Sequence, residues 1–248
     1  KKKDEQKEES KTSNPEAGPK TYKIKYTEAK HILKLDVTIN KNHTFPFILD
    51  TGATFVSLSK SVGEELGYNR DDILPRIYIS TANGVITCSL IRLNSVQVGD
   101  AIVRDVTAIV CGDDEDEVEQ DDKGESEEKQ IVTKGALGLS FLNEFDWSND
   151  TMEEALILRE FTNKPEDDVY GGHNEKWWRK KFEVAKKNIK ETEDQIKELK
   201  AQKIIVLYLK MEREKELKIL EANLDFFKEE LTILDRKANR YEVPRLWR

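Results

Sequence analysis

Asp50 is the residue of this chain whose setting most suggests chemistry. In "FPFILDTGATFVSLS", residues 45 to 59, it follows Phe47, Ile48 and Leu49 and precedes Thr51, Gly52 and Ala53. A carboxylate delivered by an apolar strand into a turn of small residues is costly unless something uses it. One use is peptide hydrolysis without a metal, a thiolate or an activated serine. Two carboxylates about 3 Å apart share a proton; one activates water as a base and the other protonates the carbonyl oxygen. The apolar strand fixes Asp50, Gly52 lets backbones approach closely, and Thr51 can hold the turn by hydrogen bonding. The chain contains a single Asp-Thr-Gly and no second Asp-Ser/Thr-Gly. If the chemistry needs a pair, the second carboxylate is not announced by a second motif.

Other chemistries find little support. Cys88 and Cys111 make neither a disulfide framework nor a zinc site, and they pair only if the fold brings them together. His31, His43 and His173 are scattered without metal-ligand spacing, so no metal and no cofactor is expected. The net charge of −8 is concentrated in "DDEDEVEQDDKGESEEK", residues 113 to 129, with eleven acids and two lysines. The remainder is close to neutral, and no basic face argues for nucleic acid. The longest apolar run, "IIVLYL" at 204 to 209, is far short of the ~20 residues of a membrane span.

The elements that must position Asp50 lie in a strand-rich region. "YKIKY" and "ILKLDVTI" alternate apolar and polar residues, as half-buried strands do. "FPFILD" is a more continuous apolar strand, as expected of one covered on both faces. "SKSVGEEL" has the spacing of a short helix ending near Gly67. "RIYISTANGVITCSLIRL" reads as two strands around an Asn83-Gly84 hairpin signal, and "SVQVGDAIVRDVTAIV" as a further hairpin turning at Gly99-Asp100. "GALGLSFLNEF" reads as a strand running into a short helix, and "FDW…ALILREF" as two closing strands. Short strands at regular spacing indicate a closed or sandwich-like β domain, placed at 21–163. The acidic segment at 112–130 interrupts it as an inserted surface loop, too poor in apolar residues to offset its ordering entropy.

Both ends differ in character. Residues 1–20, charged and containing Pro, Gly and Ser, read as a flexible N-terminal tether. The chain begins with lysine, so a removed signal peptide or membrane anchor, or a simple truncation, is expected before it. Beyond Gly172 no glycine or proline occurs until Pro244. Trp178, Phe182, Ala185, Ile189, Ile196 and Leu199 recur at alternating fours and threes, and Leu217, Leu220, Leu224, Phe227, Leu231, Leu234, Ala238 and Tyr241 continue the rhythm. This heptad seam predicts a helical segment over 174–243. Lys203, Lys210 and Arg213 would interrupt a single continuous seam, which favours two helices folding back near "IIVLYLKM" over one long helix.

The order of these features resembles that of the retropepsin-like aspartic proteases, especially the bacterial single-domain group. "FILDTGATFVSLS" matches the loop that carries the family's catalytic aspartate, "ISTANGVIT" its flap hairpin, and "GALGLSFL" the apolar-apolar-Gly strand that passes under that loop. The resemblance covers about 140 residues. It implies a mainly β, closed-barrel acid-protease domain followed by an α-helical coiled-coil segment foreign to the minimal fold. It further implies an aspartic endopeptidase acting as a homodimer, in which Asp50 meets Asp50 of a second copy across a two-fold axis. Thr51, with Gly52 and Ala53, forms the active-site loop and makes reciprocal hydrogen bonds across that axis. Ser80, Thr81, Ala82, Asn83 and Gly84 form the flap over an extended peptide or protein substrate, and Ala136, Leu137 and Gly138 support the loop. A cell-envelope or periplasmic location, tethered through the N-terminus, is the corresponding expectation. A non-catalytic dimeric scaffold or peptide-binding module acting through its coiled coil is the alternative.

Overall fold

The structure is a computed structural model describing residues 18–29, 31–68, 73–81, 84–111, 133–202 and 206–248. The acidic segment, most of the N-terminal tether and the flap positions Ala82 and Asn83 lie outside the described residues. The strands are β1 (Thr21–Lys25), β2 (Thr27–Ala29), β3 (Ile32–Ile39), β4 (His43–Leu49), β5 (Val56–Leu58), β6 (Arg76–Thr81), β7 (Gly84–Val98), β8 (Ala101–Val110), β9 (Gly135–Leu137), β10 (Phe145–Asp150) and β11 (Ala155–Glu160). The helices are α1 (Lys60–Glu65), α2 (Leu139–Leu142), α3 (Glu175–Ala201) and α4 (Leu207–Arg240).

Alternation of apolar residues explains how the strands pair. Eight strands form one sheet in the order β2-β3-β4-β9-β5-β8-β7-β6, and β3 also pairs with β7. The pairings of β3, β4, β9, β5, β8 and β7 therefore run round in a ring. Leu35, Val37, Ile39, Phe47, Val56, Leu93, Val96, Leu137 and Phe141 point inward and are almost fully buried. Burying such side chains is worth about 1.5–3 kcal/mol each, which makes this core the main stabilising element. Leu156 and Leu158 extend it into a separate antiparallel sheet ordered β1-β11-β10.

Two local features depart from the sequence expectations. β7 is one continuous strand of 15 residues, where the sequence suggested separate strands before and after Asn94. It pairs with β6 over its first part, with β8 along most of its length and with β3 near its end, and these partners carry it through the polar Asn94-Ser95 step. The three-residue β5 is too short to show alternation; it is a strand because β8 and β9 flank it.

α3 starts at Asn174, whose side chain accepts a hydrogen bond from the Trp177 N–H at 3.1 Å, and α4 runs back alongside it. Lys200 pairs with Glu221 at 2.9 Å and Glu193 with Lys228 at 3.4 Å, so rising numbers in α3 meet falling numbers in α4. Trp178 and Phe182 pack with Ala238, Val243 and Trp247 where the start of α3 meets the end of α4. Trp178 ties the helices together and donates its indole N–H to Tyr170 O at 2.9 Å, while Trp177 stacks on His173. Among the described residues no helix is long and apolar enough to cross a membrane.

Candidate active site

Asp50 stands one residue beyond β4, where the apolar strand leaves the sheet. Its N–H donates to Leu137 O at 3.2 Å, so β9 fixes the point of departure. The loop then folds back on the side chain. Asp50 Oδ1 accepts from Gly52 N–H at 2.8 Å and from Ala53 N–H at 3.2 Å. Oδ2 accepts no hydrogen bond from the described residues, and the side chain is partly exposed. One oxygen is thus held by backbone donors while the other is available to a water, a substrate or a second carboxyl group. Thr51 is exposed, and its hydroxyl has no partner among the described residues.

β9 braces this loop from beneath. It runs parallel to β4, with Ile48 opposite Ala136 and Leu49 opposite Leu137, and antiparallel to β5, with Ser57 opposite Ala136. Beyond it, Leu139 N–H donates to Ala53 O at 2.8 Å and Val56 N–H to Ser140 Oγ at 2.8 Å. The spacing is so close that a Cβ at Gly138 would lie 2.1 Å from Phe55 O, and one at Gly135 would lie 2.3 Å from Ser57 O. Only glycine fits at either point. Leu137 and Gly138 therefore meet the Asp50 loop directly, while Ala136 pairs with Ile48 and Ser57 in the flanking strands. Ser140 was not anticipated; its one signal was a polar residue in an otherwise apolar "GLSFL".

Residues 35–144 match the family model described as gag-polyprotein putative aspartyl protease. That span includes the Asp50 loop, β6 and β7, and the β9 support. Over this region the chain is similar to the aspartyl proteases of that family. Among solved structures the chain is similar to a retropepsin-like aspartic protease from Rickettsia conorii, at 21% identity and a TM-score of 0.40. The match covers 58% of this chain and 95% of that one. No curated protein matches.

In this retropepsin-like region the flap candidates lie on the hairpin of β6 and β7. Thr81 pairs with Gly84 and Ser80 with Val85, while Ala82 and Asn83 lie outside the described residues. The hairpin projects with little cover, and Tyr78 and Val85 are 81% and 67% exposed. The Asp50 loop and the flap are not joined by a hydrogen bond among the described residues.

The base of the hairpin is held by parts of the chain that sequence reasoning did not connect with the site. Cys88 on β7 forms a disulfide with Cys111, just after β8, which answers the pairing question left open by the sequence. Phe226 of α4 packs on Cys88, Leu90 and Ile109. Asn223, one turn earlier, accepts from Arg76 N–H at 2.7 Å and donates to Arg76 O at 3.1 Å. Its amide thus satisfies both edge groups of the first residue of β6. Arg92 lies over the Phe226 ring at 4.5 Å and pairs with Glu230, which also accepts from Thr107. The "FF" at 226 and 227 was a partial signal, since adjacent aromatics give a helix two apolar faces. Asn223 had no signal at all.

Proposed function

We propose that this chain is an aspartic endopeptidase in which Asp50 acts together with Asp50 of a second copy. The observation that carries this reading is the asymmetric hold on Asp50: loop amides bind Oδ1 and leave Oδ2 open. Two such carboxyl groups facing each other cannot both ionise freely, so they share a proton and divide the acid and base roles. The base takes a proton from water as it attacks the scissile carbonyl and the acid donates to the carbonyl oxygen; on collapse the first carboxyl passes its proton to the amide nitrogen, which leaves as the amine, and the second carboxylate takes a hydroxyl proton back. The chain has one such loop, and C2 pairing supplies the second from an identical surface. The unpartnered hydroxyl of Thr51 suits a reciprocal hydrogen bond across that axis. The flap hairpin covers an extended peptide, and the helical pair is an addition that steadies the flap's base. The Cys88–Cys111 disulfide favours an oxidising compartment such as the cell envelope.

The test is cleavage of unfolded protein at mildly acidic pH, followed by mass spectrometry. Asp50→Asn should lower the rate by about 10³-fold or more while leaving the fold intact, and a statine-type inhibitor should block the wild type. Activity should rise with the square of protein concentration wherever the dimer is dilute. Persistence of cleavage in Asp50→Asn refutes the assignment. A stable dimer inert towards every substrate would instead identify a binding module.

A further inference from the structure

The end of the helical pair where α4 begins is patterned differently from the rest of it. Elsewhere each helix buries apolar residues on one side, Ile196 and Leu199 from α3 and Phe226 from α4, and carries charge on the other. At the start of α4 the apolar side chains of Val206, Tyr208, Leu209 and Met211 are left in solvent, between 49% and 67% exposed. Successive helical residues turn by about 100°, so Tyr208, Leu209 and Met211 point to different sides of the axis. An apolar stripe on one face is made for a packed neighbour. A turn that is apolar all round suits surroundings that enclose it.

The charges beside this turn are of one sign. From Leu199 to Met211 the sequence holds Lys200, Lys203 and Lys210 and no acid, although the whole chain has 49 acids against 41 bases. It is the longest acid-free stretch of the helical segment, bounded by Glu198 and Glu212. Lys200 is paired with Glu221, but Lys197 and Lys210 are exposed and make no ion pair among the described residues. Apolar side chains with a tyrosine and lysines around them complement an anionic bilayer surface. The apolar groups enter the acyl boundary, the tyrosine ring sits at headgroup level, and the ammonium groups meet lipid phosphates. An acidic protein groove would satisfy the lysines yet cover only one side of the turn. Since no described helix is long and apolar enough to cross a membrane, the contact is a dipped helix end and not a span.

We propose that the first turn of α4, through Val206, Tyr208, Leu209 and Met211 with Lys210 beside them, inserts into the interface of an anionic lipid bilayer. Asn223, which holds the first residue of β6, lies twelve residues beyond Met211, or about 18 Å along the helix. Insertion would therefore keep the base of the flap hairpin near the membrane surface and favour polypeptides lying there as substrates. That last consequence rests on the protease reading above; the lipid contact does not.

The experiment is flotation of the full chain with vesicles of phosphatidylcholine and phosphatidylglycerol in equal parts, beside vesicles of phosphatidylcholine alone. Binding to the anionic vesicles should be tighter by about tenfold or more and should weaken as salt is added. Tyr208→Glu together with Met211→Glu should weaken it by about tenfold or more, and Lys210→Glu by about fivefold. All three side chains are exposed, so the variants should keep the Tm of the wild type. Absence of flotation with anionic vesicles overturns the proposal. So does flotation that the double substitution leaves unchanged, which would place the lipid contact elsewhere on the chain. Self-association without flotation, abolished by the same double substitution, would overturn it too and assign the turn to a second copy. Cleavage of a soluble substrate is scored separately: flotation without cleavage refutes only the protease reading, and cleavage without flotation refutes only the lipid contact.

Discussion

The two walls of the candidate site are built by opposite means. The Asp50 wall is clamped by backbone: β9 is threaded between β4 and β5, glycines remove every obstructing Cβ, and the loop's own amides hold the carboxylate. The flap wall rises from the last strand of the sheet, and its base is held by side chains of a helix more than a hundred residues away in sequence. The first wall is inseparable from the core and should open only with global unfolding. The second can loosen locally above the Cys88–Cys111 disulfide, because α4 restrains it through only one aromatic contact, one amide and an ion pair. A site that must hold a carboxylate rigidly yet admit a polypeptide needs both kinds of wall.

This contrast can be broken at several points. The largest effect is expected at Gly138→Ala, whose new Cβ would collide with Phe55 O. The β region should lose at least about 3 kcal/mol, seen as a fall in Tm with simultaneous loss of all protected amides. A local effect there would show that the Asp50 wall is not part of the core.

Phe226→Ala should come next. Phe226 is buried against Cys88, Leu90 and Ile109, and its truncation should cost about 3 kcal/mol of helix docking. Exchange should accelerate in α4 and β6 while β4 and β9 remain protected. Equal acceleration in both walls would abolish the distinction between them.

Asn223→Ala is the finer version. It removes two hydrogen bonds to Arg76 that are near the surface, so about 1 kcal/mol is expected, read as faster exchange at the Arg76 amide with little change in Tm.

A further effect is a dependence on pH. Burial pushes His173 down to about 4 from its ordinary 6.5, with repulsion from Lys237 and Lys181 adding to the shift. The folded chain therefore keeps His173 neutral after the unfolded chain has protonated it. Stability from this source is complete above about pH 6.5 and is lost as pH falls towards about 4. His173→Phe should flatten the Tm of the helical pair between pH 7 and pH 4.5. An unchanged slope would assign the loss to other groups.

The legible parts of this molecule are those whose causes are local. The alternation in "ILKLDVTI" reappears as β3, the apolar run before Asp50 as β4, and the Ser59-capped turn as α1, because pattern and capping act over a few residues. The seam residues Trp178, Phe182, Ile196 and Leu199 are buried between helices for the same reason. The Asp50 loop and its β9 support were legible because small residues leave a recognisable string. Three features were not. β5 exists only through its neighbours, β7 is one strand because partners span its polar step, and Asn223 looks like any polar residue on a charged helix. Each depends on what another part of the chain brings to it.

The sequence by itself determined that one apolar strand ends in Asp-Thr-Gly-Ala, that a hairpin and a glycine strand follow in order, and that a long helical segment closes the chain. Those are consequences of residue type and period. Only the tertiary structure decided that the Cys88 and Cys111 sulfurs meet, that the helices fold back on each other, and that Asn223 and Phe226 seat α4 at the base of the flap. Backbone groups on an edge strand must find donors and acceptors wherever the fold supplies them, and no local pattern records which side chain will arrive.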